Sequence, residues 1–114
     1  MKGQNQRRSR LRLNKGAERP LFDLKITVKE IQGKCPVFSL GDTFYINKGY
    51  IIKTEIPLCM HALSVIIPFY SSLSRGVPPE EMGLGKERAF LQCPDPCRYT
   101  GGGTVVFEIE TLKT

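Results

Sequence analysis
No stretch of this 114-residue chain stays apolar for long, no C-x2-C pair occurs, and there is a single histidine. Each shortage narrows what the protein can be. The longest apolar segment, residues 58–73, is interrupted by His61, Ser64, Ser71 and Ser72. It is too short and too polar for a membrane span, which takes about 20 residues. The first twenty residues are basic and have no apolar h-region, so no secretory signal is expected and a cytoplasmic location follows. Thiols stay reduced there, which directs four cysteines toward metal or thiol chemistry rather than a disulfide framework. Asp42, Glu55, Glu80, Glu81, Glu87 and Asp95 form no pair with the spacing of an acid–base couple. Gly101-Gly102-Gly103-Thr104 lacks the lysine and following helix of a phosphate-binding loop and reads as a hairpin connection.

Charge is present but unevenly spread. Lys2, Arg7, Arg8, Arg10, Arg12, Lys15 and Arg19 stand against Glu18 alone, which accounts for the whole net charge of +6. The remaining residues hold ten basic and ten acidic side chains. The high isoelectric point therefore belongs to residues 1–20 and not to the rest of the chain, where the electrostatic footprint of a nucleic-acid-binding fold would lie. With only Leu11, Leu13 and Ala17 as apolar positions after Met1, that segment cannot offset its ordering entropy. It is expected to be a disordered basic tail ahead of one domain spanning 21–114.

From Leu21 the pattern changes. Phe22, Leu24, Ile26 and Val28 alternate with charged and polar residues, which predicts a half-buried strand broken at residues 31–36. Further strands are expected at 43–47, with Phe44 and Ile46 inward, and at 50–56 after the Asn47-Lys48-Gly49 turn. Pro57 opens a helix whose apolar stripe runs through Cys59, Ala62, Leu63, Ile66, Phe69, Tyr70 and Leu73. Pro68 removes one backbone bond inside it, so a kink or break is expected there. A turn around Glu80-Glu81, a strand at 88–92, a Cys-Pro loop and a final strand at 104–112 complete the order β-β-β-α-β-β. This predicts an α+β domain, one main helix on a small, mostly antiparallel sheet.

The cysteines lie in a proline-punctuated pattern: Lys34-Cys35-Pro36, Pro57-Leu58-Cys59 and Cys93-Pro94-Asp95-Pro96-Cys97. Proline fixes its own φ and biases the residue before it toward extended conformations, so all four thiols belong to stiffened turns. If the strands that precede Cys35 and Cys93 are neighbours, these thiols and Cys59 meet at one end of the sheet. Cys35, Cys59, Cys93 and Cys97 are then metal ligands, and all-thiolate ligation points to zinc or an iron–sulfur cluster. The alternative is that they pack as small hydrophobes, Cys59 on the helix stripe above all. His61, two residues after Cys59, is rotated about 200° from it on a helix, so the two share a metal only if the segment is locally extended. A thiol enzyme using Cys35 or Cys93 is a third reading. The tail offers a fourth feature, a contact for nucleic acid or an acidic protein partner, with no aromatic residue to stack on bases.

The elements Gly33-Lys34-Cys35-Pro36, Gly41-Asp42-Thr43-Phe44, Cys59-Met60-His61-Ala62 and Cys93-Pro94-Asp95-Pro96 are worth setting side by side. Together they resemble the G-x-C-P, G-D-x-F, C-x-x-A and C-P-D-P motifs of a family of small uncharacterised prokaryotic proteins. The resemblance covers most of residues 21–114. It implies that Cys35, Cys59 and Cys93 are the family cysteines and that Cys97 and the tail are additions. It carries no activity with it.

Overall fold
The computed structural model describes residues 21–113; the basic tail lies outside them. Strands β1 (Asp23–Gly33), β2 (Thr43–Asn47) and β3 (Ile51–Lys53) precede helix α1 (Met60–Ser74) and a 3-10 turn (Pro79–Met82). Strand β4 (Ala89–Gln92), the one-turn helix α2 (Cys97–Thr100) and β5 (Gly103–Leu112) follow. The strands form one sheet in the order β3-β2-β1-β5-β4, antiparallel throughout. The predicted α+β class and element order are those observed. None of the helices among the described residues is long and apolar enough to cross a membrane.

Strand alternation decides where the core sits. Leu24, Ile26 and Val28 of β1, Phe44 and Ile46 of β2, and Val105, Phe107 and Ile109 of β5 all point to one face. Helix α1 covers that face with Ala62, Ile66 and Leu73. Its C-terminal end is tied to the start of β1 by Phe22 N–H donating to the Ser74 carbonyl at 2.7 Å. Phe38, from the loop after β1, closes the other end, its ring edge-on to Phe107 at 5.4 Å.

Several boundaries differ from expectation, each for a local reason. Strand β1 does not break at residue 31 but continues to Gly33. Lys29 is an extra residue on β1, because Val28 pairs with Phe107 and Glu30 with Val106, and this bulge absorbs the change in alternation. Strand β3 stops at Lys53 because the Thr54 hydroxyl bonds both the N–H and the carbonyl of Ile56, folding the chain out of the ladder. Helix α1 starts at Met60 rather than Pro57, with Cys59 extended at its cap position. Pro68 does not break α1, which is continuous from Met60 to Ser74. Pro68 and Ser64 both lie on the solvent side, where water satisfies the carbonyl that lost its partner. Helix α2 replaces part of the expected loop, ended by Gly101 in the left-handed region at φ 76°.

Candidate functional site
Three of the four cysteines gather around the first residues of β5. Gly33 at the end of β1 pairs with Gly103, so Cys35 follows just beyond that pair. Strand β4 ends opposite Val106, and Cys93 N–H then donates to the Val105 carbonyl at 2.8 Å. Cys97 opens α2, its N–H reaching Thr104 Oγ1 at 3.3 Å. Cys59 comes from a different element, the cap of α1, and is half-buried against the core. The condition for a shared rim site, that the strands before Cys35 and Cys93 be neighbours, is not met: β5 lies between β1 and β4, so the two cysteines flank it on opposite sides.

What the side chains do at that rim is mostly structural. Cys35 Sγ accepts the N–H of Phe38 at 3.3 Å, closing the turn that sends the Phe38 ring into the core. Cys93 is itself a core residue, 8% exposed. Asp42 takes the N–H of Ser39 at 2.8 Å, so the Gly41-Asp42-Thr43-Phe44 element is a turn feeding a core phenylalanine. Asp95, flanked by two prolines, accepts the Thr100 hydroxyl with its carboxylate, and its backbone carbonyl accepts the Thr104 hydroxyl. Ala62, the last residue of Cys59-Met60-His61-Ala62, is buried beneath α1. Each motif therefore has a packing or turn-forming role.

The Thr104 hydroxyl is the hinge of this arrangement, donating to Asp95 and accepting from Cys97 while its residue is only 7% exposed. Thr104→Val keeps the shape and leaves both partners unpaired, so a loss of about 1–3 kcal/mol is expected in denaturant unfolding. Thr104→Ser should recover most of it.

Among the described residues no three His, Cys, Asp or Glu side chains come within reach of one ion, and all four cysteines are free thiols. His61 is exposed on the first turn of α1. Timed alkylation at neutral pH, read by mass spectrometry, should label half-buried Cys35, Cys59 and Cys97 first. Cys93 should react only as the domain opens.

Two surface features escaped the sequence reading. On the helix-free face, a shallow groove of about 490 Å³ is lined by Asp23, Tyr45, Asn47, Lys53, Glu55 and Leu112 among others. Its charges are mixed, and Asp23 is already engaged by the Lys48 N–H at 2.9 Å. On the helix side an apolar hollow of about 140 Å³ opens between α1 and β3. The strand alternation of 43–47 signals the first, but the second depends on how α1 lies across the sheet.

No family model, curated protein or solved structure matches the chain.

Proposed function
We propose that the protein is a cofactor-free interaction module, a charge-balanced α+β domain that brings a basic tail onto nucleic acid. One observation carries this reading: residues 1–20 hold all of the net charge of +6. Seven cations on twenty residues bind a phosphate backbone by releasing condensed counterions, without reading sequence. The roles of the rim cysteines in turns and core support a domain that needs no cofactor to stand.

Titration of a labelled duplex with the full chain and with residues 21–114 tests the reading. The shorter chain retains every described core residue, so its folding is checked directly by circular dichroism. Binding by the full chain and none by residues 21–114 supports the proposal. Equal binding by both ends it, and capture of an acidic polypeptide but not of DNA or RNA moves the partner class to protein.

A second reading rests on the backbone positions of Cys35, Cys93 and Cys97 beside the first residues of β5, and it requires their thiols to rearrange, since no three such side chains among the described residues reach one ion. There a cysteine-ligated zinc or iron–sulfur cluster would draw on those thiols, with Cys59 as the fourth. Anaerobic purification and elemental analysis decide it: stoichiometric metal that is lost in Cys35→Ser supports the cluster, and metal-free protein ends it.

A further inference from the structure
Helix α1 carries no charged residue anywhere along its fifteen positions. A helix with one face in water ordinarily places charges there. Beside it lies the apolar hollow, walled by Tyr50 and Ile52 from the sheet side and by Leu63, Ile67 and Tyr70 from the helix. Tyr50 is 72% and Ile67 56% exposed.

The path of the chain points to an occupant. Leu21, the first described residue, lies against the turn between β2 and β3: a Cβ built on Gly49 would be 3.0 Å from Leu21 Cδ1. The next residue, Phe22, is tied to the Ser74 carbonyl at the C-terminal end of α1. Residues 1–20 therefore join the domain between Gly49 and Ser74. Tyr50 follows Gly49 directly and Tyr70 lies one turn before Ser74, so the junction is beside the two tyrosines that wall the hollow.

The attached segment has the apolar groups to fill it. After Met1 its large apolar residues are Leu11 and Leu13, alternating with Arg10 and Arg12. When extended, such a run turns both leucines one way and both arginines the other. Leu13 stands eight positions before Leu21, a reach of up to about 26 Å. From Ser74 back to Leu63, α1 measures only about 17 Å. The hollow has a volume of about 140 Å³. Apolar cavities of about 150 Å³ take up a benzene-sized group, so one leucine fills it and the other covers Ile67. No cation lines the hollow to repel the flanking arginines.

We propose that Leu11 and Leu13 dock intramolecularly in the hollow between α1 and β3, leaving Arg10 and Arg12 turned to water. The seven residues from Asn14 to Pro20 are the tether. A tether this short sets an effective concentration on the order of millimolar, so a contact too weak to hold separate molecules stays occupied. Docking needs no nucleic acid, so its failure leaves the charge-based reading of residues 1–20 standing.

Methyl-resolved NMR of the full chain without nucleic acid tests the docking. Leu11 or Leu13 methyls should show through-space contacts to Ile52 or Ile67, and replacing both leucines by serine should shift those isoleucine signals. Timed cleavage after Arg12 by an arginine-specific protease is the second readout. Ile67→Lys should speed it by about tenfold, because the segment is no longer held. Ile67 is exposed on a helix, so the variant should keep the circular dichroism of the fold. Phe90→Lys, on the opposite edge of the sheet, should leave the rate unchanged. Absence of leucine–isoleucine contacts, or a cleavage rate that Ile67→Lys does not change, overturns the proposal. So does protection that rises with protein concentration, which would seat the leucines of one molecule in the hollow of another.

Discussion

Gly33→Ala is expected to destabilise the domain by about 3 kcal/mol or more, with two causes adding. Gly33 sits at φ 80°, where an L side chain is strained by about 1–2 kcal/mol. Its missing side chain is also where another strand passes. A Cβ built there falls inside van der Waals contact of the Gly102 carbonyl oxygen and 3.2 Å from Cys97 Cβ. The oxygen is backbone and already accepts the Lys34 N–H at 3.1 Å, so it cannot swing away. Relief requires parting β1 from β5, the longest pairing in the sheet. For a domain of this size the melting temperature should fall by more than about 12 °C. Gly41→Ala supplies the internal comparison: φ there is 90°, but nothing lies within 4 Å of the added Cβ. It should cost only the conformational strain, about 1–2 kcal/mol. Equal losses in the two variants would show that the close approach at the rim does not occur.

Tail-dependent binding is expected to be steeply sensitive to salt. If all seven basic side chains of residues 1–20 reach phosphates, log K against log salt for duplex DNA should have a slope of about −6. Raising salt from about 50 to 200 mM then lowers affinity by roughly 10³-fold or more. Replacing Arg7, Arg8, Arg10 and Arg12 together by alanine should flatten the slope by about 4 and shift all sequences alike, because these contacts position without specifying. Residues 21–114, with ten charges of each sign, should show neither the affinity nor the slope. A salt-independent interaction would place binding on the domain surface and end the electrostatic account.

Most of the fold was legible because alternation at period two is a direct consequence of one buried face. Leu24, Ile26 and Val28 alternate with polar residues and Phe44 and Ile46 were expected inward; all five are buried, as are Val105, Phe107 and Ile109 of β5. The errors fall where a side chain overrides the pattern. Thr54 ends β3 early through its own hydroxyl, and Lys29 bulges out of register so that β1 outlasts its apparent break. Proline 68 looked disruptive because sequence alone does not say which side of a helix faces water.

The candidate site was legible only in part. The element order was readable, but the pairing of the first strand with the last, which places β5 between the strands that carry Cys35 and Cys93, was not. Nor was what each sulfur touches. Cys35 Sγ meets a backbone N–H and Cys93 meets the core, and such contacts depend on loop paths that no spacing encodes.

Composition and order along the chain were enough to establish an α+β domain, a neutral body and a charge confined to residues 1–20, because burial periodicity and formal charge are local properties. The placement of α1 across the sheet, the position of β3 at the sheet edge and the turn that Cys35 closes were decided only by tertiary structure, because they are set by which distant surfaces meet.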